Sequence, residues 1–349
     1  MNGKAIRIVL TAALVAVSST PAASQGFAGL GQGGEGFALP ERGRAFTFPE
    51  DHGPHPEYRI EWWYLTAVLE GEDGRDYGIQ WTLFRSALTP VGPQVWMGHF
   101  GLTTPEAHFS GERFARGDVG QAGVMAQPFA AWIDDWRLER NGAGDGDELD
   151  SLRLSADTGE AGYELSFVAT GPLVRHGEDG FSVKSASGQA SYYYSQPFYD
   201  VGGTLRLPDG DVEVTGRGWL DREWSSQPLE DDQEGWDWFS LHLTGGERLM
   251  AFQLRGGTPF TYASWIEPDG TVTPYYGELV LDPLDLSDVS GRDVPTTWRL
   301  ALPPEGVDVT VTAVNPQSWQ GTLFPYWEGP VTAEGTHSAR GYLEMTGYE

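Results

Sequence analysis

From Phe46 onward, apolar and polar residues alternate with a period of two, and no stretch holds a 3.6-residue period for long. Tyr77, Ile79, Trp81 and Leu83 fall on one face of a run whose other face carries Gln80 and Thr82, the alternation of a strand. Tyr58–Val68 contains E-W-W-Y-L-T-A-V, and Glu70 to Arg75, with Asp-Gly at its centre, turns it back onto that run as a hairpin. Strands are predicted next at 95–104, 136–140, 152–155, 163–169 and 190–194. Beyond Pro197, three hairpins follow: 204–207 with 212–219, 236–243 with 249–254, and 261–266 with 272–276. The last strands are predicted at 297–300, 309–314, 331–335 and 340–346. Many short antiparallel strands joined by tight turns imply an all-β fold of sandwiches or closed barrels.

One stretch departs from simple alternation. Gly216 to Ser240 holds four of the fourteen tryptophans together with Asp221, Glu223 and Asp237. Carboxylates avoid apolar surroundings unless something offsets their desolvation, and each indole N–H wants a partner. If 212–223 stays extended, Arg217, Trp219, Asp221 and Glu223 share one face, and Leu220, Arg222 and Trp224 the other. Two readings follow for Asp221. An ion pair with Arg217 would keep it ionised, whereas a place under tryptophan rings would raise its pKa and let it donate a proton. On the next strand Trp236, Trp238, Ser240 and His242 share a face, and Asp237 lies among apolar residues on the other. It needs a partner such as Arg217, Arg222 or Arg255, and Glu61 poses the same question.

Composition narrows the function classes. A net charge of −28 argues against nucleic acid and anionic membrane surfaces as partners. Lys4 and Arg7, the apolar run Ile8–Val17 and the small residues Ala22-Ala23-Ser24 read as a secretory signal peptide cleaved after Ser24. With no cysteine in the chain, a disulfide framework and a lipoprotein anchor are both excluded, so a periplasmic or secreted protein is expected. Residues 25–44 read as a flexible linker. Its G-x-G-x-x-G at 29–34 lacks the preceding strand and following helix of a dinucleotide site. His52 and His55 lie in a proline-rich turn that denies them the helical spacing of a zinc pair, and Asp145 to Glu148 reads as a solvated acidic turn. With no nucleophile elbow and no P-loop, no cofactor is expected.

A series of motifs, in order, carries a family resemblance. These are D-H-G-P-H-P-E-Y-R-I-E-W-W-Y (51–64), G-H-F-G-L-T (98–103), E-R-F-A-R-G (112–117), D-D-W-R-L (134–138), G-F-S-V-K (180–184) and Y-Y-Y-S (192–195). G-W-L-D-R-E-W-S-S (218–226), G-W-D-W-F-S (235–240), Y-W-E-G (326–329) and G-Y-L-E-M-T-G-Y (341–348) complete it. The chain resembles the AttH-like, carotenoid 1,2-hydratase-related proteins. That resemblance implies two lipocalin-like antiparallel β-barrel domains, expected at 45–222 and 223–349. It implies a hydrophobic small-molecule ligand, polyene, isoprenoid or lipid-like, and an ABC-transport system as a partner. The hydratase pattern of His and Trp two apart, then Tyr-x-Asp, meets this chain at Asp221, with Trp219 in the Tyr position and Tyr192 and Tyr194 near the His/Trp pair. Carriage without chemistry is the first expectation. The alternative is a hydro-lyase in which Asp221 protonates an alkene, and a carbohydrate-binding protein is the third. The residues expected to line the site are Trp62, Tyr64, Tyr192, Tyr194, Arg217, Trp219, Glu223, Trp224, Trp236, Asp237 and Trp238.

Overall fold

The computed structural model describes residues 34–142, 145–227 and 233–349; the expected signal peptide and residues 25–33 of the Gly-rich lead-in lie outside them. The first sheet holds β1 (Ile60–Gly71), β2 (Asp76–Ala87), β3 (Gln94–Thr103), β4 (His108–Arg116), β5 (Ala122–Ala126), β6 (Phe129–Ile133) and β7 (Trp136–Arg140). It continues with β8 (Ser151–Asp157), β9 (Gly162–Ala169), β10 (Val174–Arg175), β11 (Phe181–Val183), β12 (Ala190–Leu207) and β13 (Gly210–Ser225). The second holds β14 (Gln233–Leu243), β15 (Arg248–Gly256), β16 (Phe260–Ile266), β17 (Val272–Tyr276) and β18 (Val280–Val289). It ends with β19 (Arg292–Leu302), β20 (Val307–Ala313), β21 (Trp319–Gln320), β22 (Tyr326–Gly335) and β23 (Ala339–Met345).

The first sheet runs in the order β4-β3-β2-β1-β13-β12-β9-β8-β7-β6-β5, so its first and last long strands, β1 and β13, pair at its centre. The second runs β17-β16-β15-β14-β23-β22-β20-β19-β18, again joining its ends through β14 and β23. The two antiparallel sheets curl into a barrel and half-barrel, a double lipocalin-like architecture. Each curl encloses an apolar cluster, around Trp63, Trp81 and Trp136 in the first and around Phe239, Trp298 and Trp327 in the second. A third cluster, with Tyr193, Trp219, Met250 and Tyr342, lies where the sheets face each other.

β4, β5, β6, β10, β11, β18 and β21 lie where the sequence pattern predicts no strand, and two further differences bear on the site. β12 runs unbroken through Pro197, because a bulge between Gln196 and Tyr199 takes the proline out of the ladder, where its missing N–H costs nothing. β13 continues to Ser225, so Glu223 and Trp224 pair with Trp62 and Glu61 on β1 and with Tyr193 and Tyr192 on β12.

Candidate functional site: a cavity between the two barrels

A cavity of about 280 Å³ opens between the sheets. β1 contributes Trp62 and Tyr64 to its wall, β12 Tyr193, and β13 Asp221 and Glu223. The second sheet adds Trp236 and Trp238 from β14, Phe252 and Leu254 from β15, and Glu344 from β23. Strand alternation produces this lining. On β13, Leu220 and Trp224 enter the first barrel's core, while Trp219 packs between the sheets and Asp221 and Glu223 reach the cavity.

Asp221 is buried and receives three hydrogen bonds. Trp219 Nε1 (2.6 Å) and Ser195 Oγ donate to Oδ1, and the Tyr193 hydroxyl donates to Oδ2 (2.6 Å). Burial nevertheless dominates, with help from the neighbouring Glu223, and pushes its carboxyl up to about 7. The Tyr193 oxygen also accepts from Trp238 Nε1 at 3.2 Å. Behind Ser195 stands His176, with Nε2 2.7 Å from the serine Oγ and Nδ1 2.9 Å from Ser264 Oγ on β16. Burial, reinforced by Lys184, lowers the His176 imidazole to about 3 and keeps it neutral.

Three more carboxyls lie nearby, Glu223 and Glu344 in the cavity wall and Glu328 beside Glu344. Glu223 pairs with Lys184 (2.9 Å) and accepts from Ser191. The Lys184 ammonium lies 4.8 Å from the Tyr193 ring centre and 4.5 Å from that of Phe252. Glu344 accepts from Trp236 Nε1, and desolvation, with Asp221 and Glu223 nearby, lifts it to about 7. Beside it across the ladder, Glu328 accepts from the Tyr64 hydroxyl at 2.5 Å and is held well above the usual carboxylate range by burial and by Glu344.

Of the residues expected at the site, Trp62, Tyr64, Glu223, Trp236 and Trp238 line the cavity with Asp221, and Trp219 acts behind it as a donor. Tyr192, Tyr194 and Trp224 point into the first barrel. Arg217 pairs with Asp200 at an exposed position, so the expected Arg217–Asp221 pair does not form. Asp237 faces away from the cavity and meets Arg255 (3.2 Å) and the Tyr348 hydroxyl (3.0 Å), one of the partners its apolar strand face called for. Glu61 is also a structural acid. Fully buried, it takes Arg222 (2.7 Å), Arg85 and the His55 backbone N–H (2.8 Å). Against the desolvation of burial, the two guanidinium groups hold it far below the usual carboxylate range. His55 stacks on Trp224 with ring centres 4.0 Å apart, and His52 contacts Tyr194 (2.7 Å) and Asp147 (3.1 Å). No group of His, Asp and Glu able to hold a metal occurs among the described residues.

The pattern of the sequence did not point to Tyr193, Ser195, His176, Lys184 or Glu344. Tyr193 and Ser195 were open to the same alternation rule, since residues 193 and 195 must face opposite to 192 and 194. His176, Lys184 and Glu344 reach the site by long-range packing and carry no local signal.

The AttH-like family model matches residues 39–348. Among solved structures, a Nitrosomonas europaea protein assigned as an AttH superposes with a TM-score of 0.80 at 31% identity, over 89% of this chain and 99% of that one. Kievitone hydratase from Nectria haematococca shares the fold with a TM-score of 0.66 at 15% identity, over 89% and 96% of the two chains. CghA with Sch210972 does so with a TM-score of 0.54 at 15% identity, over 90% and 97%. No curated protein matches the chain.

Proposed function

This chain belongs to the AttH-like family, and on that premise we propose that it is an exported protein that binds a hydrophobic small molecule, isoprenoid or lipid-like, between its two barrels. The observation that carries this reading is the cavity itself: about 280 Å³, walled mainly by aromatic and aliphatic side chains from both sheets, with a few polar groups, Tyr193, Lys184, Asp221, Glu223 and Glu344 among them. Pockets of a few hundred Å³ with apolar walls and a few convergent polar groups are how proteins hold small ligands. The test is a titration with β-ionone, followed by quenching of the tryptophan fluorescence to which Trp236 and Trp238 contribute. Saturable quenching is expected, weakened at least tenfold in Leu254→Trp, which fills the wall. Quenching that is linear, or equal in the variant, would remove the reading.

One feature favours a second reading, acid-catalysed addition to an alkene. Asp221 meets no cation in an ion pair among the described residues and is pushed up to about 7, so a large fraction of it carries a proton at neutral pH. Aromatic faces at Trp236, Trp238 and Tyr64 would stabilise the resulting carbocation. The same fold serves a hydratase in Nectria haematococca. With a substrate in hand, Asp221→Asn abolishes turnover while leaving the melting temperature unchanged or higher. Loss of turnover accompanied by a large fall in melting temperature would instead make Asp221 structural.

A further inference from the structure

We propose that the hydroxyl of Tyr193, rather than Asp221 itself, presents the proton to the ligand, and that Asp221 stands behind it as the acid that refills it. This rests on the alkene-protonating reading and identifies the group that touches the substrate. The argument begins at a backbone amide. The Gly177 N–H can only donate, and it donates to the Tyr262 oxygen at 2.7 Å. Tyr262 is buried, and the acceptor given for its hydroxyl hydrogen among the described residues is Ser264 Oγ, 2.7 Å away. A buried hydroxyl hydrogen left without an acceptor is costly, so Tyr262 donates to Ser264. Ser264 then donates to His176 Nδ1, which places the imidazole hydrogen on Nε2, donating to Ser195. Ser195 in turn donates to Asp221 Oδ1. Every dipole of this chain, which crosses from the second sheet to the first, aims at one oxygen.

That oxygen also receives the Trp219 indole N–H, which cannot reverse. Oδ1 is therefore saturated with donors, and the acidic hydrogen of Asp221 belongs on Oδ2. The partner of Oδ2 is the Tyr193 hydroxyl at 2.6 Å. When Asp221 is protonated, the Tyr193 oxygen must accept from it, as it already accepts from Trp238 Nε1. Its own hydrogen is then released from Asp221, and Tyr193 lines the cavity, so that hydrogen turns toward the ligand.

The transfer balances without a further reagent. Tyr193 gives its hydrogen to the alkene carbon as the π bond breaks, and the Asp221 Oδ2 hydrogen moves to the Tyr193 oxygen. Asp221 is left as a carboxylate that receives Ser195, Trp219 and Tyr193. Water adding to the cation loses a proton, which returns by the reverse path. The charged and titratable groups facing this pair are Lys184 and Glu223, which neutralise each other, and His176, whose ring centre is 4.2 Å from that of Tyr193 and which stays neutral. From the second sheet, Glu344 faces it across the cavity and Glu328 lies behind Tyr64. Glu344 titrates in the same pH range, so the measurements are made in a Glu344→Gln background.

Infrared spectroscopy tests the contact in the empty protein and the hydroxyl orientation with a ligand bound. In the empty protein, the carboxylic-acid band that disappears in Asp221→Asn moves to higher frequency in Tyr193→Phe, because the acid loses its hydrogen-bond partner. With β-ionone as probe, the ketone band is lowered below about pH 6 and relaxes as the pH rises through about 7, where Tyr193 turns back to the carboxylate. In Asp221→Asn the amide donates permanently to Tyr193, so the lowering persists at every pH; in Tyr193→Phe it is absent. An acid band that stays in place in Tyr193→Phe overturns the proposal. A ketone band lowered equally in wild type and Tyr193→Phe does the same. If β-ionone does not bind, the ligand reading fails, while an acid band unmoved in Tyr193→Phe overturns the relay independently of it.

Discussion

Buried carboxyls in this protein fall into two kinds, and their partners decide which. Glu61 and Asp51 face guanidinium groups and are held ionised, so they are spent on structure. Asp221 and Glu344 face indole, hydroxyl and apolar groups, so desolvation prevails and each is pushed up to about 7; Asp237, although beside Arg255, reaches about 6. Their effect on stability has a definite sign. Between the ordinary value of 3.8 and about 7, the native state keeps a proton on Asp221 that the unfolded chain has lost, so stability falls as pH rises through that window. Glu344, from 4.5 to about 7, and Asp237, from 3.8 to about 6, add to the same slope. Buried His99, His108, His176 and His242, all lowered by desolvation, act with the opposite sign below about pH 6.5, so the Asp221 contribution is read by difference. In denaturant unfolding, the free energy of the wild type relative to Asp221→Asn is expected to fall from pH 5 to pH 8. A difference that stays constant or rises over that range would refute it. The sequence exposed Asp221 because an acid among tryptophans is conspicuous. It hid Tyr193 because three consecutive tyrosines look alike until burial shows that 192 and 194 belong to the first barrel and 193 to the cavity.

Among the strands, legibility followed the chemical contrast between the two faces. β2 and β13 set an apolar face in a barrel core and a more polar face, also buried at Gln80, Thr82 and Asp221, on the other side, so their alternation shows in the chain, and the faces expected on β13 and β14 are those observed. β18 leaves most of its side chains exposed, from Asp282 to Leu286, and carries no apolar alternation to read. β5 and β6, five residues each, meet at a Gln127-Pro128 turn and were equally silent. Glycine spacing on β13 was visible, but its purpose was not. A Cβ at Gly216 would stand 2.0 Å from the Val68 carbonyl oxygen, and one at Gly218 would stand 2.8 Å from the Phe167 ring. Gly216 lets β13 lie close against β1, and Gly218 leaves room for the Phe167 ring of β9, just before the strand presents Asp221. Gly216→Ala should push β13 off its neighbour and cost about 1–3 kcal/mol in chemical denaturation. The displacement should also shift the Asp221 acid band, which a uniform loss of stability would not do. An unchanged denaturation midpoint would show that the strand pair accommodates the methyl group.

At the scale of the whole molecule, the site exists only because the two barrels touch. Its acid and tyrosine come from the first sheet, while Trp238, Ser264 and Glu344 come from the second. The family resemblance implied two barrels, yet nothing in the chain's periodicity could say which faces met. Close approach depends on small residues at the contact. Gly78 on β2 sits under the Pro330 ring of β22, where a Cβ would come within 2.6 Å, and Gly101 on β3 sits against Gln320, where it would come within 2.5 Å. Arg340 on β23 reaches across to the Leu69 carbonyl at 2.9 Å and to Asp76, tying the same seam. Gly78 has no positive φ, so a larger residue there strains the contact rather than the backbone. Gly78→Val should therefore wedge the sheets apart while leaving each barrel's own core intact. The expected signature is uncoupled unfolding, with a single calorimetric transition in the wild type becoming two, together with loss of saturable β-ionone quenching. Arg340→Met, which unties the seam without a wedge, should weaken the coupling less and keep the cavity closed. A single transition and undiminished quenching in Gly78→Val would mean that the barrels hold together through other contacts and that the cavity belongs to one of them alone.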